Sequence, residues 1–243
     1  ASAPIVGNEW ENLGSGGWSP PDNAGAISAS GYIVSAKNSQ IGFYDIDGNA
    51  SAEWSLADFF SLAYSTNNFV YDPRVEYSNY HNKWIVVALG GASQSNTNVL
   101  VAFSKTSNPN DGFWMYSFGG DLCDNGDVWF DYPKIAVSAE ELFITGNLFN
   151  DAENFQGATT YQIELADAWT GGTISYVTYC NIDNAGLFGG SAFSIVPLGM
   201  AWTATSPGIV MVAENGGSLT YYYIDNSIGN NPSLNTYSVN GEP

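Results

Sequence analysis

One stretch of the chain concentrates its rarest side chains. FVYDPRVEYSNYHNKWIVVALGG, residues 69–91, holds the sole arginine, Arg74, and the sole histidine, His81, with Asp72 and Glu76 beside them. A histidine near a carboxylate can act as a general base if the scaffold also holds a nucleophile. No G-x-S-x-G stretch and no nearby cysteine supplies one. His81 falls in SNYHNK, a turn between two strand-like runs, and a turn histidine is expected to be exposed and idle. The carboxylates offer a second chemistry. Glu76 and Asp131 are candidates for an acid–base pair of a carbohydrate-active hydrolase or lyase.

The acidic segment DLCDNGDVWFDYP, residues 121–133, offers a third. It carries Asp121, Asp124, Asp127 and Asp131, hard oxygen donors close together on a loop, which is what Ca²⁺ needs. The spacing is not that of an EF-hand. DIDGN at 45–49 fails the same test and reads as a hairpin turn. Zinc is excluded by supply, since one His and two Cys leave a four-ligand N/S site short. Those cysteines, Cys123 and Cys180, each follow the fourth strand of a repeat and are expected to form one disulfide.

The elements that must position these residues are strands. Helical periodicity is confined to SAEWSLADFF (51–60) and IELADAW (163–169). Elsewhere short runs rich in Val, Ile, Tyr, Phe and Thr alternate with Gly, Asn, Asp and Pro, the pattern of an all-β protein. The runs recur in one order. First strands read AISA, RVEY, KIAV and FSIVPL; second strands read YIVSA, KWIVVALG, ELFITGN and GIVMVAEN. Third and shorter fourth strands complete each block, and block starts at Ile27, Val75, Ile135 and Phe193 lie 48, 60 and 58 residues apart. Four antiparallel strands at this period predict β-propeller blades. We therefore expect a single propeller-like domain over 1–243, with repeats near 24–60, 69–120, 131–180 and 190–243. It is either a small ring or part of a larger propeller, and a β-sandwich is the alternative architecture.

Within that frame Arg74 and Lys134 each stand one residue past a proline, at the same place in consecutive blocks, with Asp72 and Asp131 just ahead of them. The expected job is structural: Asp72, Arg74, Asp131 and Lys134 as ion pairs tying neighbouring blades, because carboxylates buried unpaired are costly. An anion site facing the channel is the functional alternative. Trp54, Trp114 and Trp169 recur near the connection of third to fourth strands, which favours blade-on-blade packing. Trp10, Trp18 and Trp129 fall outside the repeat and are candidates to stack on carbohydrate.

Charge narrows the partners. Five basic residues against 24 acidic give a net charge of −19, which repels phosphate backbones and anionic lipid. No nucleic acid and no membrane insertion are expected, since no apolar run is long enough to span a bilayer. Few lysines, abundant Asn, Ser and Thr, and an opening Ala1-Ser2-Ala3-Pro4 that looks processed fit a secreted protein.

Two motifs carry a family resemblance. DPRVEYSNYHNKW (72–84) opens a strand with Asp-Pro-Arg and turns before Trp; DYPKIAVSAEELFITGN (131–147) repeats the plan with Asp-Tyr-Pro-Lys. With FYDIDGN, SLADFF and VAFSKTSNPNDGFWMYSF, they resemble a group of secreted bacterial β-propeller proteins, mainly over residues 24–150. The resemblance implies the fold and an extracellular setting, and it carries no catalytic residue. The expectation is a non-enzymatic binding or assembly protein with a structural or adhesive role. Its partners would be copies of itself or a companion chain at open β-edges, and carbohydrate.

Overall fold

The computed structural model describes residues 9–14, 19–65, 69–182, 192–199, 209–215 and 218–239. Residues 1–4 and Trp18 lie outside them. The strands gather into four antiparallel sheets, each in simple chain order. The first sheet holds β1 (Ala24–Ile27), β2 (Ile33–Lys37), β3 (Gln40–Tyr44) and β4 (Ala50–Ser55). The second holds β5 (Val70–Ser78), β6 (Lys83–Ser93), β7 (Asn96–Ser104) and β8 (Phe113–Gly119). The third holds β9 (Trp129–Val137), β10 (Glu141–Phe149), β11 (Phe155–Glu164) and β12 (Tyr176–Tyr179). The fourth holds β13 (Val196–Pro197), β14 (Ile209–Asn215), β15 (Ser218–Ile224) and β16 (Leu234–Val239). These are propeller-like blades, not the two facing sheets of a sandwich. The helix-period segments shrink to single turns, α1 (Leu56–Phe59) and α2 (Leu165–Ala168).

The blades stack face to face, which explains why the central strands read as unbroken apolar runs. Along β6, Ile85, Val87 and Leu89 belong to a core shared with the third blade, including Phe130, Ile144 and Tyr161. Their neighbours Trp84, Val86 and Ala88 point the other way, into a core with Val34, Ile41 and Phe43 of the first blade. A third core joins Ala136 and Phe143 to Ile209, Met211 and Tyr222 of the fourth. Period-two alternation still operates, but both faces are interior. Each fully buried Ile, Leu, Val or Phe contributes about 1.5–3 kcal/mol. Trp84 → Ala would remove the largest such side chain, at about 3–5 kcal/mol.

Turn chemistry fixes the registers. Asp45 accepts from the N–H groups of Asp47 and Asn49, which closes the DIDGN hairpin. The turn after each of the first three inner strands is held by a buried serine: Ser28, Ser78 and Ser138. Their hydroxyls accept from the N–H of Tyr32, of His81, and of Glu140 and Glu141, respectively.

Candidate functional site

The inner strands β1, β5, β9 and β13 carry a repeated backbone device. Asp22, Asp72, Tyr132 and Ser194 all have positive φ, between 42° and 60°. Each lies two residues before the one that pairs with the second strand: Ala24 with Ala36, Arg74 with Val87, Lys134 with Thr145, Val196 with Val212. In β5 and β9 the device is a bulge, which bends the strand and re-aims side chains. This register places Arg74 and Lys134 at equivalent positions, as expected, and their aspartates at different ones. Asp72 corresponds to Tyr132, and Asp131, paired with Asn147, corresponds to Tyr71, paired with Leu89.

Side chains at this level clasp each blade to the next. Asn38 Oδ1 accepts from the Asp72 N–H at 2.6 Å, while its Nδ2 donates to Asp22 at 2.6 Å. Arg74 Nε donates to the Pro133 carbonyl at 2.7 Å, and its Nη1 to the Pro73 carbonyl at 2.8 Å. Lys134 Nζ donates to Ser194 Oγ at 2.8 Å and lies over the Tyr132 ring, and the Ser194 N–H donates to Asn147 Oδ1. The cations therefore do join neighbouring blades, but their hydrogen bonds go to carbonyls and a hydroxyl. The carboxylates of Asp72 and Asp131 lie close enough that each acts on the other's protonation.

The electrostatics follow from that crowding. Burial pushes the Asp72 carboxyl up to about 6, helped by the charges of Asp131 and Asp22 and opposed by Asn38 and Arg74. Asp131 is also raised, chiefly by burial. Burial lowers Lys134, and Arg74 pushes it the same way. Next along β5, burial alone pushes Glu76 up to about 7. Arg74, Glu76 and Lys134 line a cavity of about 620 Å³ that all four inner strands border, with Ala24, Ile27 and Val196 among its walls.

No family model and no curated protein matches this chain. Among solved structures, a protein of unknown function from Bacteroides caccae is 11% identical, covering 89% of this chain and 81% of that one, with a TM-score of 0.34. Extracellular domains 1–2 of Drosophila Semaphorin 1b are 9% identical, covering 90% of this chain and 52% of that one, with a TM-score of 0.29. The propeller-like reading rests on the four stacked sheets of this chain.

Glu76 and Asp131 do not meet as an acid–base pair. Their partners on the second strands, Ile85 and Asn147, sit four ladder positions apart once the blades are aligned on Arg74 and Lys134. Four positions amount to about 13 Å along the channel, beyond the roughly 5–9.5 Å spans used in glycoside hydrolysis. His81 is not idle either. Its Nε2 lies 2.7 Å from the Ala139 carbonyl, an acceptor only, so the ring donates there. It also packs against Trp169, and burial lowers its pKa. The pair of inner turns is thus strutted from blade to blade.

In the acidic loop, both oxygens of Asp121 turn inward and accept from the N–H groups of Asn125 and Gly126. Asp131 belongs instead to the axial cluster. Among the described residues, no three His, Cys, Asp or Glu side chains are gathered as metal ligands. Cys123 and Cys180 are bonded, fastening the loop before the third blade to the end of that blade's outer strand. Trp169 packs across the blade junction onto Phe103, and the Trp114 ring on β8 lies against Gly171 of the third blade, whereas Trp54 on β4 packs on Phe43 and Phe59 of its own blade. Trp10 leans on Tyr44, and Trp129 donates to the Asn150 carbonyl.

Sequence reasoning missed Asp22, Asn38 and Glu141. Glu141 is buried and accepts from Gln162 and from the Ile228 N–H, joining the third blade to the fourth. Burial pushes it up to about 7. For Asp22 a signal existed: PPDNA ahead of AISA holds an Asp two residues before the inner strand, as YDPR does.

Proposed function

We propose that this is a secreted, non-enzymatic binding and assembly protein. One observation carries the reading: Asn38, Arg74 and Lys134 at the axis clasp each blade to the next, and Glu76 and Asp131 stand apart on the ladder. The disulfide and the acidic composition support an extracellular bacterial setting, and no helix among the described residues is long and apolar enough to cross a membrane.

Partners meet the rim. Each blade ends in an outer strand, β4, β8, β12 or β16, with no further strand paired to it among the described residues. Trp54, Trp114, Tyr176 and Tyr237 on those strands are 36–59% exposed. Open edges with exposed aromatics suit β-augmentation by another copy or a companion chain. Between the first two blades, a groove of about 450 Å³ sets Trp54 beside Asp58 and Asn110, an aromatic face next to polar groups that suits carbohydrate. Calcium at Asp124 and Asp127 belongs to the reading through the charge of the loop; Asp121 joins only by releasing its backbone amides.

Light scattering across a concentration series tests assembly. Oligomers that weaken when Trp54 and Trp114 become lysine are expected, and a monomer at every concentration counts against the edges. Turnover of any member of a polysaccharide panel would replace this reading with an enzymatic one.

A further inference from the structure

We infer that the axial cavity binds an organic carboxylate with an apolar body, held by Arg74 and Lys134. The inference names a ligand class for one site and rests on the binding reading above.

The donors are available. Two of the five guanidinium N–H groups of Arg74 are spent on the carbonyls of Pro73 and Pro133, leaving three. One of the three ammonium N–H groups of Lys134 goes to Ser194, leaving two. Both side chains border the cavity, whereas Asp22, Asp72 and Asp131 do not; among the described residues its one carboxylate is Glu76. The two cations thus border the space, and the three axial aspartates do not. This is unexpected in a chain with 5 basic and 24 acidic residues. Two cations brought together repel one another; Lys134 is lowered chiefly by burial and further by Arg74. An anion between them would relieve the repulsion and accept charge-assisted hydrogen bonds, for which guanidinium offers a planar fork.

The walls specify the rest of the ligand. Ala24, Ala26, Ile27, Ile135 and Val196 surround the polar pair. Ile27 is 55% exposed and Val196 39%, so this apolar surface is uncovered. At about 620 Å³ the space lies within the usual range for small ligands. A bare inorganic anion would satisfy the cations and leave the walls wet. Glu76 faces the same space and opposes the ligand when ionised.

Hexanoate is the probe, titrated calorimetrically into the full chain at pH 7.5 and low salt, with hexanamide and sulfate as comparisons. Saturable one-to-one binding of hexanoate is expected, with hexanamide about ten-fold weaker, the worth of one charged hydrogen bond. Arg74→Gln and Lys134→Gln should each weaken it to a similar degree. Glu76→Gln should tighten it several-fold, a gain that a misfolded variant cannot imitate. Near-UV circular dichroism checks the fold of each variant. No saturation by hexanoate, equal binding of hexanamide, or unchanged affinity in Arg74→Gln and Lys134→Gln overturns the inference. Sulfate binding as tightly as hexanoate overturns the apolar body. Failure here leaves the light-scattering result standing, whereas polysaccharide turnover removes the binding reading whatever hexanoate does.

Discussion

At the two ends of the inner strands, different things repeat. At the turn end the side chain recurs: Ser28, Ser78 and Ser138 are buried, and each hydroxyl accepts from its own turn. At the axial end the backbone recurs, with positive φ at Asp22, Asp72, Tyr132 and Ser194, while the side chain changes from blade to blade. The turn is shaped by a bond that needs a short side-chain acceptor, so its chemistry is constrained. The bulge is shaped by neighbouring blades, so its chemistry is free to differ, and there the chain places its only arginine and its clustered carboxylates. Equivalent geometry with unequal chemistry is how a repeat fold acquires one asymmetric site.

The sharpest way to separate the two ends is charge. Glu76→Gln should stabilise the protein at pH 8 by up to about 3 kcal/mol and leave it unchanged at pH 4. The sign follows from the raised pKa. The folded state holds this proton more tightly than the unfolded state, so its contribution is complete below about 4.5 and is lost as pH rises through about 7. Urea unfolding at both pH values measures it. An equal effect at both would mean Glu76 is not shielded from water.

Backbone conformation gives the next effect. Tyr132→Val puts a β-branched residue at φ 60° and should cost about 2 kcal/mol. Tyr132→Gly should cost less, although it also loses the ring beneath Lys134. If valine is tolerated as well as glycine, the repeated bulge does not constrain the chain. At the turn end Ser138→Ala should cost about 1–1.5 kcal/mol, because two N–H groups lose their acceptor. A cost in Ser138→Ala above that in Tyr132→Val would invert the ranking of the two ends. The smallest change is His81→Phe, about 1 kcal/mol, which removes the bond to Ala139 and keeps a ring against Trp169. Thermal melts of all four variants on one scale complete the ranking.

Much of this architecture was legible in the sequence. The order of runs such as KWIVVALG and ELFITGN fixed four sheets of four strands, because strand pairing follows local pattern and turn residues. The axial chemistry was less legible, for two physical reasons. Both blades carry the same bulge, so the extra residue in DYPK against DPR places Asp131 one position farther from its cation than Asp72 stands from Arg74, and the two face different neighbours. And the partners of Arg74 and His81 are main-chain carbonyls, which every residue owns and no letter advertises. Asn38 enters the cluster across a blade junction, a contact with no local trace.

The bond between Cys123 and Cys180 has a mechanical meaning. Tension drawn along the chain from the second blade toward the fourth would cross from sulfur to sulfur and skip the strands between. The sequence separation of 57 between the two cysteines holds about 190 Å of hidden length that pulling cannot release while the bond is closed. Under shear the third blade would stay folded as a knot in the rope, and a reductant would set its length free.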